Sequence, residues 1–236
     1  MEVIDIVLYS LIAVAVFAFI VCLAIANYAG ENLITVYNKY AGKIVDYNST
    51  LNFAQNVSTG EFNGKIQTKV IDGFLTDNYY KGTISLSQNV AFSSNISGFA
   101  VCAHELGHAM QYRDVPQKMK KFTKKLIFSK IISKFTVPLF IVGIPLIFFN
   151  IIIAIVVFGV ALLTFIVGLF AKLSTIKIEK EASQNALELL KKYADFDDEQ
   201  IKYAKKVLSA AKLTYVAAFL KSVLAWTMLV RKYDFY

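Results

Sequence analysis

The chain of 236 residues contains only two cysteines and two histidines. Cys22 lies inside an apolar run and Cys102 beside a charged motif far along the chain, so no disulfide framework is available and a reducing compartment fits. No internal repeat or low-complexity linker divides the sequence. Acidic residues are outnumbered, with 17 Asp and Glu against 25 Lys and Arg, for a formal charge of +8. The lysines gather beside apolar segments instead of alternating with aromatic residues. That distribution excludes nucleic acid as a partner and matches the cytoplasmic flanks of membrane helices.

What the chain has in abundance is apolar sequence: 56% of it is hydrophobic and the mean hydropathy is +0.52. This exceeds ordinary soluble domains and points to the lipid bilayer as a partner. The run from Ile6 to Ala26 holds 21 residues without a charge. At 1.5 Å per residue it spans the roughly 30 Å hydrocarbon core, and its acidic leader and length favour an uncleaved anchor over a signal peptide. Phe135 to Ala171 is almost continuously apolar and long enough for two antiparallel crossings that turn near Asn150, with Pro138 and Pro145 in the first arm. Ala210 to Val230 reads as a fourth crossing, interrupted by Lys212 and Lys221.

The expected fold class is therefore a mainly α integral membrane protein with about four transmembrane helices, a small β-hairpin and an active-site helix on the cytoplasmic side. Residues 1–27 form the first helix, 28–129 a catalytic segment, 130–171 the transmembrane hairpin, 172–209 a helical segment, and 210–236 the last helix and C-terminus. Lys118, Lys120, Lys121, Lys124, Lys125 and Lys130 precede the hairpin and Lys172, Lys177 and Lys180 follow it, while its turn carries no basic residue. The positive-inside rule places both polar stretches in the cytoplasm.

In the first polar stretch Ile66, Thr68 and Val70 alternate with polar neighbours, as do Ile84 and Leu86, around a turn-rich Thr76 to Gly82. That pattern predicts a hairpin of two strands. Gly82 to Ser87 is a candidate edge for pairing with an extended peptide. From Ser97 to Tyr112 the periodicity becomes helical, with Phe99, Cys102, Ala103, Leu106 and Met110 as its apolar stripe and Asn95 or Ser97 as N-cap. Ser174 or Thr175 is expected to cap a helix through Lys192, and Asp197 with Gln200 forms a capping-box pattern for the next.

The sharpest signal is His104-Glu105-Leu106-Gly107-His108, which holds both histidines of the chain. Histidines at i and i+4 leave one face of a helix and can grip a single tetrahedral Zn²⁺. Zinc lowers the pKa of bound water towards ~7, and a glutamate beside it can take the proton for attack on a peptide carbonyl. A third ligand must be a carboxylate, since no further histidine exists. Glu179 and Glu181 are the candidates just beyond the hairpin, and being two apart on a helix they face roughly 200° apart.

Asp77-Asn78-Tyr79-Tyr80, Thr83-Ile84-Ser85-Leu86-Ser87, Ala103-His104-Glu105-Leu106-Gly107-His108-Ala109-Met110-Gln111, Ile178-Glu179-Lys180-Glu181-Ala182-Ser183 and Leu213-Thr214-Tyr215-Val216-Ala217-Ala218 together resemble segments of the YugP-like neutral zinc membrane peptidases. The resemblance runs from about Gly73 to the C-terminus. It implies a gluzincin-type endopeptidase of the cell membrane acting on membrane or membrane-proximal proteins. His104, His108 and Glu179 would be its metal ligands, Glu105 its general base, and Tyr215, ahead of Tyr79, its oxyanion donor. Ser183, one turn after Glu179, would support a ligand. The family usually shows Asp-His-Tyr-Asp where this chain has Asp77 to Tyr80, and two arginines at Gln184 and Asn185, so those residues' roles are not carried over. The alternative, a membrane protein with a purely structural zinc, needs a fourth ligand. Cys102 would point away from His104 on a helix. A transporter would need intramembrane charge pairs or repeated broken helices that the sequence lacks.

Overall fold

The computed structural model describes residues 24–25 and 27–224. Helix α1 occupies residues 27–41. There follow α2 (Thr50–Phe62), strands β1 (Gln67–Ile71), β2 (Asn78–Tyr80) and β3 (Thr83–Ser87), the short α3 (Gln88–Ala91), and α4 (Ile96–Asp114). Helices α5 (Pro116–Ser133), α6 (Thr136–Phe149), α7 (Ile151–Ala194) and α8 (Asp198–Leu224) complete the described chain. The protein is thus mostly helical with one small sheet.

Local chemistry accounts for the ends of these elements. Ser49 caps α2 by accepting from the Asn52 amide at 3.3 Å, and Asn63 ends that helix in the left-handed region at φ 52°. Asn95 caps α4, accepting from the Gly98 amide at 2.9 Å. Asp197 and Gln200 exchange both backbone-to-side-chain bonds, at 2.7 and 3.0 Å, and so form the expected capping box of α8.

The sheet has the order β1-β3-β2, with β1 parallel to β3 and β2 antiparallel to it. This corrects the expected hairpin between the two longer strands. The true hairpin joins β2 to β3 through Lys81 and Gly82, whose φ values of 47° and 85° suit the tight turn that matches strand twist. A three-residue strand inside a turn-rich stretch carries too little periodicity to be read from sequence. β3 is therefore the central strand, with neighbours on both sides and Ile84 and Leu86 fully buried. Over Thr83 to Ser85 it therefore offers no free edge to a peptide, contrary to the expectation for Gly82 to Ser87, while Leu86 and Ser87 pair with β1 alone.

The core is built around α4. Phe99, Cys102, Ala103 and Leu106 are all fully buried. Phe99 meets Phe53 of α2 at 5.3 Å and Phe196, between α7 and α8, at 5.7 Å between ring centroids. Small residues on α4 let the long α7 lie close. A Cβ at Gly107 would collide with the Ala182 carbonyl, and the Gly107 carbonyl accepts from Asn185 Nδ2 at 3.2 Å.

Helix α7 runs unbroken for 44 residues, about 66 Å at 1.5 Å per residue. No cap forms at Ser174 or Thr175, where a new helix was expected; Ser174 Oγ instead donates to the Ala171 carbonyl at 2.6 Å within the helix. The sequence from Ala171 to Ala194 contains no glycine or proline, so nothing ends the helix when the composition turns polar. One rigid element therefore joins the second arm of the apolar hairpin to the polar segment that carries Glu179.

Two helical stretches, Pro116–Phe149 and Ile151–Ala194, are long and apolar enough to cross a membrane. They reverse at Asn150, whose side chain accepts from the amides of Ile152 and Ile153. Thr136 and Thr164 hydrogen-bond across them at 2.8 Å, and Phe140 packs on Phe158. Phe148, Phe149 and Ile152 remain 86, 85 and 71% exposed at the tip. Four crossings were expected. Among the described residues two helical stretches meet the length and hydropathy of a crossing, and nearly all of Ile6 to Ala26 and the last part of Ala210 to Val230 lie outside those residues.

Candidate metal centre

Helical periodicity sets the first half of the site. His104 and His108 stand one turn apart on α4 with ring centroids 4.8 Å apart, and both Nε2 atoms face α7. The continuous α7 sets the second half by carrying Glu179 Oε2 to 3.0 Å from His104 Nε2 and 3.4 Å from His108 Nε2. These three groups offer ligand atoms within 4.8 Å of one another. His104, Glu105 and Glu179 are each only 9% exposed.

Partners behind the cluster decide which ring nitrogens face it. Ser183 Oγ donates to the Glu179 carbonyl at 2.8 Å, so its lone pair is left for His104 Nδ1–H at 3.3 Å. Gln111 Nε2 donates to the Ile178 carbonyl at 2.9 Å and reaches Glu181 at 3.4 Å. That turns its Oε1 towards His108, where it accepts from Nδ1–H at 3.0 Å. Both histidines are thereby held with Nε2 free to bind a cation. Sequence reasoning assigned no role to Gln111; its place three residues after His108, on the same helix face, was the available signal.

The electrostatics also call for positive charge at the centre. Burial, the largest single influence on His108, pulls its pKa down, but the hydrogen bond to the Glu179 carboxylate, the negative charges of Glu105 and Glu179 and the hydrogen bond to Gln111 together outweigh it and push it up to about 9. A buried carboxylate facing two imidazoles requires either a proton or a metal cation between them. Two nitrogens and one oxygen in this arrangement are the donor set that suits zinc and leaves a fourth position open.

Glu105 is not among the three converging groups and instead lines a cavity of about 150 Å³ beside them. Burial pushes its carboxyl pKa up, partly offset by the two histidines. Leu33, Val101, Val207 and Ala211 form apolar walls of that cavity, and Asp77 and Tyr215 also line it. Asp77 is fixed by the Ser87 amide at 2.7 Å and the Ser87 hydroxyl at 3.1 Å. Tyr215, on α8, faces both Glu179 and Glu105. Tyr79 packs on Tyr112 at 5.5 Å and does not line the cavity. Glu181 stays with Gln111, outside the cluster. Cys102 is fully buried, with its thiol towards the Thr50 carbonyl, and supplies no fourth ligand.

A helix-borne histidine pair completed by a distant glutamate defines a class of zinc-dependent hydrolases, and sequence comparison narrows it. The profile of the family described as "Putative neutral zinc metallopeptidase" matches residues 15–233, and the chain belongs to that family. It is also 30% identical over 160 residues to "Putative membrane protease YugP" of Bacillus subtilis, covering 67% of this chain and 68% of that protein. No solved structure matches the chain. Family membership implies Zn²⁺ as the cofactor.

Proposed function

We propose that the chain is an integral-membrane zinc endopeptidase that hydrolyses peptide bonds of membrane or membrane-proximal proteins from the cytoplasmic side. The observation that carries this reading is the convergence of His104, His108 and Glu179 while Glu105, between the two histidines in sequence, is left free beside a cavity. In this reading His104, His108 and Glu179 hold the ion. When bound, zinc polarises the scissile carbonyl and acidifies a water molecule. Glu105 takes the proton from that water and returns it to the departing amine. Tyr215 donates a hydrogen bond to the carbonyl oxygen as it gains negative charge. Ser183 and Gln111 hold the imidazoles in the required tautomer.

The membrane setting is supported by the exposed apolar surface of α6 and the first part of α7, which is far larger than a soluble monomer tolerates. The lysines on α5 and on the polar part of α7 favour a cytoplasmic active site. The relative from Bacillus subtilis bears the name of a membrane protease, which agrees with this assignment.

The test compares the purified full-length chain with its Glu105→Gln variant for bound zinc and for cleavage of a membrane-protein substrate. The variant is expected to keep its zinc and lose ~10²-fold or more in hydrolysis. Loss of zinc with the substitution, or unchanged hydrolysis, overturns the role given to Glu105.

A further inference from the structure

Away from the metal centre, Lys39 of α1 and Lys202, Lys205 and Lys206 of α8 line one groove of about 550 Å³ between those helices. No carboxylate lines it, and none of the four ammonium groups forms an ion pair among the described residues. Four exposed cations thus line one groove with no carboxylate among its walls, an arrangement that attracts an anion.

The groove is also graded along its length. Helices α1 and α8 run in opposite directions, because Tyr40 stacks on Tyr203 at 5.0 Å while Leu33, earlier in α1, meets the active-site cavity with Val207 and Ala211, later in α8. The cations sit at the Tyr40 end, and Val36, Ala210 and Leu213 follow at the other, where Asn32 and Ser209 are the uncharged polar groups. That apolar end is, on both helices, the one nearer in sequence to a long apolar run: Ile6 to Ala26 before α1 and Ala210 to Val230 within and beyond α8. Charge and hydrophobicity therefore change in the same order as a bilayer's headgroup and acyl layers.

We propose that this groove binds one anionic phospholipid, with its phosphate among the four lysines and its glycerol and first acyl carbons against Val36, Ala210 and Leu213. The proposal rests on the reading that the chain resides in a bilayer. A free phosphate would satisfy the lysines but leave the apolar end unused, so the graded lining selects the lipid. Such a lipid would lie along the two helices that also wall the peptidase cavity, through Leu33 on one and Val207, Ala211 and Tyr215 on the other.

The test uses full-length protein in mixed micelles of phosphatidylcholine and phosphatidylglycerol, with retained lipid counted by native mass spectrometry. Wild type is expected to retain one phosphatidylglycerol in preference to phosphatidylcholine. The Lys202→Gln/Lys205→Gln/Lys206→Gln variant should weaken retention by roughly 10²-fold, at about one lysine's surface attraction each. Val36→Glu should also abolish it, whereas Lys118→Gln/Lys121→Gln/Lys125→Gln on α5, with the same charge removed, should not. Millimolar inorganic phosphate should not displace the lipid. Unchanged retention in the α8 variant, equal loss in the α5 variant, or displacement by phosphate would each overturn the site. Zinc content and cleavage are read on the same samples, so a failed peptidase assignment appears there without touching the lipid count. A chain that stays monodisperse without detergent would refute the membrane reading instead.

Discussion

Glu179 Oε2 lies 3.0 Å from Nε2 of His104, although the two residues are 75 positions apart in the chain. Glu181, two residues further along α7, lies by Gln111 and takes no part in the cluster. Glu179→Ala is therefore expected to lower zinc affinity by more than the ~10–100-fold that loss of an outer partner costs. Glu181→Ala should change it little. Metal content measured on both folded variants decides the matter, and dependence on Glu181 instead would mean that α7 presents its other face.

Gly107 sits at a close approach of α4 and α7, with the Ala182 carbonyl in the space a methyl group would need. That obstacle is backbone, so it cannot rotate away. Gly107→Ala should destabilise the protein by about 3 kcal/mol, at the upper end of overpacking costs, and should lower zinc occupancy because the histidines and Glu179 are pushed apart. Thermal melting in detergent together with metal analysis checks this; an unchanged melting point and full zinc content would contradict the close approach.

A separate polar cluster joins α2, α4 and α7. Glu61 receives Lys192 at 2.6 Å, Arg113 at 2.8 Å and the Tyr193 hydroxyl at 3.0 Å. Hydrogen bonds from Lys192 and then Arg113 hold its carboxyl down at about 2, from an ordinary 4.5. A pKa depressed by folding gives stability that is complete above the unfolded value and disappears as pH falls through the folded one. Glu61→Gln should thus melt earlier than wild type at pH 7, and the gap should shrink between about 4.5 and about 2. A gap that does not vary with pH would show that the carboxylate's charge is irrelevant.

Both polar stretches meet in one site, so in the proposed membrane setting they share one side of the bilayer. Cysteines introduced at Lys65 and at Lys191, both exposed, are expected to respond alike to an impermeant thiol reagent in intact cells. Opposite labelling would be incompatible with a single crossing pair between them and with the composite metal centre.

The sequence alone determined the histidine half of the candidate site. His104 and His108 are one helical turn apart whatever surrounds them, so spacing on a helix is enough to bring their rings to one face. The apolar hairpin was equally legible, since the almost continuously apolar run from Phe135 to Ala171 leaves few alternatives in water, and the capping of α4 and α8 followed from Asn95, Asp197 and Gln200. What depends on distant packing was decided only by the tertiary structure. The resemblance had singled out Glu179, but its convergence with the two histidines while Glu181 lies by Gln111 follows from the rotation of α7 against α4, which no local pattern encodes. The role of Gln111 required Ile178 to be present beside it to turn its amide. The parallel pairing of β1 with β3 depended on a strand of three residues and two positive φ values, features with almost no periodicity to read. Short-range regularities write themselves into sequence because neighbouring residues repeat them; a close approach between two helices is a property of the pair, and it exists only once both have folded.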